Sequence, residues 1–372
     1  MSALFSPYEL KDVTLRNRIA VPPMCQYSAI DGVTNDWHDA HYTGMARGGA
    51  GLVIVEATAV SPEGRITPAC TGLWNDTQAE GMARIAASIK KAGAVPGIQI
   101  GHAGWKASAN RPWEGDDHIP NSDPRGWQTI SPSAIAFGGK LDKVPTAMTL
   151  DDIARVKADF VAAAKRARDA GFEWLELHFA HGYLAQSFFS VYANQRDDQY
   201  GGDAEGRSRF LFETFEAVRA VWPERLPLTA RFGVIEFDGR DDETLSEAIA
   251  LTQRFRAGGL DLLNVSMGFS TMAANVPWSD AFLAPIAARV RTEADIPVAT
   301  AWGMDDPHSA QEAIDQQQLD IAMMGRAHLA DPHYPFKAAR ELKVKQASAL
   351  LPEQYAYWLA RYPGPQNGEP VE

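Results

Sequence analysis

The chain has 372 residues, 45% of them hydrophobic and 22% charged, which is typical of a globular enzyme and unlike disordered or fibrous chains. Its formal net charge of −12 at pH 7 predicts no general attraction to nucleic acid or to an anionic membrane. The two cysteines are too few for a disulfide framework, no apolar run is long enough to cross a bilayer, and the N-terminal residues do not resemble a secretory signal. We therefore expect a cytoplasmic protein without membrane spans.

Short apolar runs alternate with amphipathic segments along the chain. Eight runs predict buried strands, at 19–22, 51–56, 95–100, 174–177, 228–232, 262–265, 297–300 and 321–324. The amphipathic periodicity predicts helices, some of them capped by residues such as Thr149 and Thr244, over 79–92, 151–170, 210–221, 242–257, 281–292 and 350–361. Strands that alternate with helices form parallel sheets, and eight such units predict one closed (β/α)₈ TIM barrel.

Residues 101–148 form a long segment without clear periodicity directly after the third predicted strand. The segment is rich in Gly, Pro, Trp and Asp. In a barrel we expect such an insertion to form a lid over the active site. We predict one domain over residues 1–363 and a mobile tail, rich in Pro and Gly, over 364–372.

A dense polar cluster follows the fourth predicted strand. It contains His178, His181 and Tyr183, and the chemistry of barrel enzymes lies at the carboxyl ends of the strands. Two imidazoles can donate hydrogen bonds to one oxygen and so polarise a carbonyl conjugated to a double bond, and a phenol can supply a proton. A single histidine is as often a core residue, but this spacing at a strand end favours a catalytic cluster.

A metal site is the competing interpretation of the same histidines. His178, His181 and His102 could hold Zn²⁺ or a similar ion with one position open. No carboxylate or cysteine nearby completes that site convincingly. The corresponding function would be that of a metal-dependent barrel hydrolase or lyase.

Other strand ends carry residues suited to a ring system. Cys25 follows Pro22, Pro23 and Met24, and its thiol could face a polarisable ring or be an ordinary buried small side chain. Gln99 can both donate and accept, which suits the edge of a pyrimidine-like ring. Arg231 lies in the fifth predicted strand, where its charge needs an anionic partner, and a reduced flavin anion fits that need.

Glycine-containing loops follow the last two predicted strands, where many barrels bind phosphate. Ala301, Trp302 and Gly303 follow the seventh strand, and Gly325 and Arg326 follow the eighth. Glycine lets a phosphate approach the backbone closely, and an arginine adds a charge-assisted hydrogen bond. The alternatives are a surface ion pair for the arginine and ordinary packing for the tryptophan.

These motifs resemble the old yellow enzyme family, and in particular its bacterial, cysteine-bearing branch of ene-reductases similar to xenobiotic reductase A. The resemblance extends over nearly the whole chain. The segments that carry it are 10–27, 56–60, 99–104, 176–183, 194–209 and 325–329.

The resemblance implies an FMN-binding barrel that takes hydride from NADPH and reduces the C=C bond of enones or enoates, with xenobiotics as candidate substrates. It implies that His178 and His181 bind the activating group, that Tyr183 protonates the α-carbon, and that Tyr27 and Trp302 contact the substrate. It also implies that Trp358 or Arg361 enters the active site of a neighbouring subunit, as part of a homodimer or larger assembly. The positions implied to bind FMN are Pro23, Met24, Cys25, Ala57, Gln99, Arg231, Ala301, Trp302, Gly303, Gly325 and Arg326.

Overall fold

Eight parallel strands close into a barrel in the computed structural model, which describes residues 2–362, so the predicted tail at 364–372 lies outside the described residues. Each barrel strand pairs with the next one along the chain, and the last pairs with the first. The barrel strands are β3 (Ile19–Val21), β4 (Leu52–Ala59), β5 (Val95–Gly101), β8 (Trp174–Phe179), β9 (Leu228–Ile235), β10 (Leu262–Met267), β11 (Val298–Thr300) and β12 (Ile321–Met323). The predicted (β/α)₈ barrel is confirmed.

Four further strands lie outside the barrel. β1 (Tyr8–Leu10) and β2 (Val13–Leu15) form an antiparallel hairpin near the N-terminus. β6 (Ile130–Ser131) and β7 (Thr146–Ala147) form a short parallel pair within the predicted insertion.

Helices connect the barrel strands and cover their outer surface. They are α1 (Asp36–Arg47), α2 (Asp76–Lys91), α3 (Leu150–Asp169), α4 (Leu184–Phe189), α5 (Ala204–Arg219), α6 (Asp241–Ala257), α7 (Ala284–Ala294), α8 (Pro307–Asp315), α9 (Arg326–Ala330), α10 (Tyr334–Glu341) and α11 (Glu353–Leu359). Thr149 caps α3 as predicted, and its side chain accepts the Asp152 N–H. Thr244 does not cap α6, because that helix begins three residues earlier with an acidic first turn that suits the positive end of the helix.

The strands β8 and β9 are longer than predicted, and the difference bears on the site. β8 continues to Phe179, so His178 belongs to the strand and not to the loop after it. β9 continues to Ile235, which places Arg231 in the middle of a strand. His178 and Arg231 are direct partners in the β8–β9 register. Their side chains therefore lie next to each other at the same level of the barrel.

The insertion at 101–148 packs against the loop that follows β8. The Trp105 indole N–H donates to the Gly182 carbonyl, and Lys106 Nζ donates to the His181 carbonyl over 2.8 Å. These contacts place part of the insertion at the carboxyl end of the barrel. Its function as a lid stays a prediction.

No helix in residues 2–362 is long and apolar enough to cross a membrane.

An aromatic cluster joins the barrel wall to the outer helices. Phe255 of α6 is fully buried. Its ring centroid lies 5.2 Å from that of Phe215 in α5, 6.0 Å from Phe179 in β8 and 6.3 Å from Phe232 in β9. One side chain thus ties two strands to two helices.

We predict that Phe255→Ala lowers the free energy of unfolding by about 3–5 kcal/mol, because it removes a buried ring and leaves a cavity. Urea unfolding at a fixed excess of FMN measures the change. Val144→Ala is the matched control, since this exposed side chain should change stability by less than about 0.5 kcal/mol. Equal effects of the two substitutions would contradict the assignment of this cluster to the core.

Candidate active site

The three rings predicted at the end of the fourth barrel strand lie together. The ring centroids of His178 and His181 are 5.0 Å apart, and those of His178 and Tyr183 are also 5.0 Å apart. His181 adopts a left-handed conformation with φ of 64°, and its N–H donates to the Met267 carbonyl at the end of β10. This turn brings its imidazole back towards His178 at the carboxyl end of the barrel.

Burial keeps all three rings neutral at neutral pH. Burial lowers the pKa of His178 and His181 well below the usual value, and the nearby Arg231 charge lowers both further. Burial also raises the pKa of the Tyr183 phenol, so it keeps its proton. Each histidine is therefore a neutral ring with one N–H to donate, and the tyrosine is a protonated donor.

A cavity of about 340 Å³ lies beside these rings. Its walls include seven of the predicted cofactor positions, Pro23, Met24, Arg231, Ala301, Trp302, Gly325 and Arg326, together with Pro22, His181 and Asp305. Four other predicted positions, Cys25, Ala57, Gln99 and Gly303, do not line this cavity. Ala57 lines a smaller pocket with His102, His178 and Tyr183.

The cavity combines apolar walls with two cations at different depths. Arg231 is only 5% exposed, and no carboxylate within the described residues forms an ion pair with it. Arg326 lies at the rim with its side chain 81% exposed, where it approaches Asp305 at 3.5 Å. A planar aromatic group that carries a phosphate fits this arrangement, with its ring near Arg231 and its phosphate near Arg326.

Gln99 does not line the cavity, because it is buried deeper in the barrel. Its amide N–H donates to Glu176 Oε1 over 2.7 Å, and the Asn264 amide donates to the other oxygen of that carboxylate over 3.0 Å. Burial raises the pKa of Glu176, while the Arg231 charge and these two hydrogen bonds favour its ionised form. The Glu176 carboxyl group lies close enough to Arg231 to balance part of the arginine's charge.

Gly303 has a structural reason to be glycine. Its φ is +71°, and a Cβ there would lie 2.7 Å from both the Ala281 nitrogen and the Ser279 oxygen. Close packing against residues 279–281 therefore excludes a side chain. Contact of Gly303 with FMN stays a prediction.

A buried carboxyl group holds the backbone that carries Cys25 and Tyr27. Glu56 Oε2 accepts the Gln26 N–H over 2.9 Å, and Oε1 accepts the Tyr42 hydroxyl over 2.9 Å. Burial raises the pKa of Glu56 to about 7. Burial also raises the pKa of the Cys25 thiol, which therefore stays protonated and is poorly suited to be a nucleophile.

The C-terminal residues predicted to contact substrate lie away from this chain's own cavity. Trp358 is on α11, is 72% exposed and lies beside Tyr357. The Arg361 guanidinium lies over the Tyr357 ring at 4.3 Å. Neither side chain lines the cavity, so insertion into a neighbouring subunit's site stays a prediction.

Several residues of the site carried no predicted function. Ser266 Oγ lies 2.8 Å from His181 Nε2, 3.1 Å from Trp302 Nε1 and 3.3 Å from Arg231 Nε. Lys106 and Glu176 contact site residues in the ways described above. Asn264 and Ser266 are polar residues two positions apart in an apolar strand, and that spacing places both on one face. The alternation of polar and apolar residues along β10 was the sequence signal that could have identified these two residues.

The three histidines do not form a metal site. Within residues 2–362, no group of three or more His, Cys, Asp or Glu side chains could hold a metal ion. His102 Nδ1 accepts the Gly104 N–H over 3.0 Å, and His181 Nε2 is already hydrogen bonded to Ser266.

The model of the NADH:flavin oxidoreductase / NADH oxidase family matches residues 3–345. The chain belongs to this family. The NADPH dehydrogenase of Geobacillus thermodenitrificans is 37% identical over 346 residues, which are 92% of this chain and 96% of that relative.

Two solved structures are also similar. Morphinone reductase in complex with tetrahydroNAD has 26% identity and a TM-score of 0.77, with 91% of each chain covered. The old yellow enzyme homologue from Zymomonas mobilis has 25% identity and a TM-score of 0.77, with 95% of this chain and 98% of that chain covered.

The protein is thus an FMN-linked oxidoreductase of the old yellow enzyme type that uses a nicotinamide nucleotide. The family resemblance read from the sequence is confirmed, whereas the branch similar to xenobiotic reductase A stays a prediction. A metal-dependent hydrolase or lyase is not favoured.

The raised pKa of Glu56 leads to a prediction about pH. A carboxyl group that titrates near 7 in the folded protein and near 4.5 when unfolded contributes stability at low pH that is lost as the pH rises towards 7. Glu56→Gln should therefore lose less stability than the wild type between pH 5 and pH 8, by up to about 3 kcal/mol. Urea unfolding at both pH values, at a fixed excess of FMN, measures this difference.

Glu80→Gln on the exposed surface of α2 is the control for that experiment, and it should behave as the wild type. An unchanged pH dependence in Glu56→Gln would show that this carboxyl group is ionised throughout the range.

Proposed function

We propose that the protein reduces the C=C bond of α,β-unsaturated carbonyl compounds, with NADPH as the hydride source. The observation that carries the proposal is the cluster of two neutral imidazoles and one protonated phenol, with His181 in the wall of the cavity. A carbonyl oxygen that accepts two N–H groups becomes more electron-withdrawing, so the conjugated β-carbon becomes a better hydride acceptor.

His178 and His181 would bind the carbonyl oxygen of the substrate. Because burial and Arg231 keep both rings neutral, they stabilise the developing oxyanion through hydrogen bonds, and the water-poor surroundings strengthen these bonds. A hydrogen bond to the developing enolate oxygen is stronger than one to the neutral carbonyl oxygen of the substrate or the product. The pair therefore favours the enolate-like transition state more than the ground state.

Tyr183 would donate its proton to the α-carbon. Its phenol lies beside His178, and its raised pKa ensures that the proton is present when the substrate binds. The Arg231 charge favours the phenolate that remains after the transfer. Water then returns a proton to Tyr183, and the product is the saturated carbonyl compound.

The cavity residues described above would hold the cofactor. Arg231 would lie at the ring, Arg326 at the phosphate, and Pro23, Met24 and Trp302 along the apolar walls. When bound, FMN supplies the hydride that it receives from NADPH. Cys25, Ala57, Gln99 and Gly303 are proposed contacts on the strength of the family motif.

The insertion and the C-terminal helix would complete the substrate pocket. The Tyr27 ring lies 5.8 Å from Trp113 of the insertion, which supports a substrate wall shared between the barrel and a lid. The exposed Tyr357 and Trp358 on α11 form an aromatic surface that suits a second copy of the chain. Both cysteines are free, in keeping with a reducing compartment such as the cytoplasm.

An anaerobic titration tests the proposed reaction. We expect NADPH to bleach the visible absorption of the FMN-loaded enzyme and 2-cyclohexen-1-one to restore it in equimolar amount. Cyclohexanone is the matched control, because it has the carbonyl group but no C=C bond, and it should leave the enzyme bleached. A parallel titration with NADH measures the nucleotide preference. Failure of the enone to restore absorption would contradict the proposed substrate class.

Tyr183→Phe tests the proton donor separately. A positioned general acid contributes about 10²–10⁴-fold, so reoxidation by the enone should slow by that factor, while FMN stays bound and NADPH still reduces it. Stopped-flow absorbance measures both half-reactions. Tyr192→Phe is the control, since its hydroxyl bonds to Asp238 away from the site, and it should reoxidise at the wild-type rate. A wild-type rate in Tyr183→Phe would remove this residue from the mechanism.

A further inference from the structure

Ser266 lies at a junction between three functional side chains. It belongs to β10 and is fully buried. Its hydroxyl oxygen lies 2.8 Å from His181 Nε2, 3.1 Å from Trp302 Nε1 and 3.3 Å from Arg231 Nε. Within residues 2–362 the Ser266 side chain has no other hydrogen-bond partner. These three nitrogens are therefore the partners among which its donor and acceptor roles must be divided.

The chemistry of the three nitrogens determines the direction of each hydrogen bond. An indole N–H and a guanidinium N–H can only donate, so Trp302 and Arg231 occupy the two lone pairs of the oxygen. The hydroxyl hydrogen remains, and only His181 Nε2 is available to accept it. The reverse arrangement would aim three donors at two lone pairs and leave a buried hydroxyl hydrogen without an acceptor, which is costly.

We propose that Ser266 is a positioning residue that fixes neutral His181 as its Nδ1–H tautomer. This inference rests on the proposed function, because that tautomer directs an N–H at the substrate's carbonyl oxygen. The opposite tautomer would direct a lone pair at that oxygen and repel it. A hydrogen bond to one ring nitrogen commonly decides which nitrogen of a histidine carries the proton.

Hydrogen bonds to the main chain of His181 hold this residue beside Ser266. The His181 N–H donates to the Met267 carbonyl over 3.2 Å, and the His181 carbonyl accepts a hydrogen bond from Lys106 Nζ over 2.8 Å. Lys106 Nζ also donates to the Phe269 carbonyl over 2.8 Å, so it joins the loops after β8 and β10. With both backbone groups of His181 held, its Cα stays in place, and the 2.8 Å contact with Ser266 Oγ orients Nε2 of the ring.

Nitrogen NMR of the FMN-loaded enzyme, with ¹⁵N-labelled histidine, tests the tautomer directly. The His181 signals are assigned by their loss in His181→Gln. We expect wild-type Nδ1 to be protonated and Nε2 to be unprotonated. In Ser266→Ala the hydroxyl donor is gone, and the signals should shift towards the Nε2–H form. Ser266→Thr keeps the hydroxyl and should restore the wild-type signals.

The same variants are compared in enone-dependent reoxidation. Loss of a correctly directed donor should slow this step in Ser266→Ala by about 10- to 100-fold, with recovery in Ser266→Thr. Ser208→Ala is the matched control, because the Ser208 hydroxyl is also buried and also accepts from an arginine, Arg254, but lies far from the site in α5. It should change neither the His181 signals nor the rate.

Protonated Nε2 in the wild type would overturn the inference, and so would an unchanged tautomer in Ser266→Ala. The wild-type spectrum can overturn the inference even if Ser266→Ala folds poorly. The NMR measurement requires no enone, so a wild-type enzyme that fails to reduce enones would refute the proposed function and leave the tautomer result to stand by itself.

Discussion

A permanent positive charge inside the barrel is the constraint on which the rest of the site depends. Arg231 lies in the middle of β9, nearly excluded from water, without an ion-pair partner among the described residues. Its charge lowers the pKa of both histidines and favours ionisation of Tyr183 and Glu176. Because a buried charge needs compensation, Ser266 accepts a hydrogen bond from Arg231, and the nearby Glu176 carboxyl group is held by hydrogen bonds from Gln99 and Asn264.

Two residues in the loops above this charge have strained, left-handed backbone conformations. His181 and Phe269 both have positive φ values, and Lys106 donates hydrogen bonds to the carbonyls of both. Burial lowers the pKa of Lys106 to about 7. The insertion is thus part of the scaffold around the His181 ring, and Lys106 stabilises the strained backbone of the two loops.

The sequence allowed the barrel and the ring cluster to be predicted because both depend on local patterns. Continuous apolar runs identify strands buried on both faces, and His178, His181 and Tyr183 occur within six residues. Helix α1 was not predicted, because its Asp, His, Gly and Thr residues obscure the apolar face. The partnerships of Ser266 and Lys106 depend on strand register and on a loop from elsewhere in the chain. The spacing of residues along the sequence does not indicate such contacts.

The barrel wall has unequal height around its circumference. The adjacent strands β11, β12 and β3 have three residues each, whereas β4 and β9 have eight. The large cavity lies mostly above the three short strands, and the cluster of His178, His181 and Tyr183 lies at the end of the six-residue strand β8. Most of the cavity wall therefore comes from the short sector of the rim, and His181 and Arg231 are its two contributions from the taller side. A change in a loop that follows a tall strand therefore leaves most of the cavity wall untouched, provided that His181 and Arg231 keep their positions.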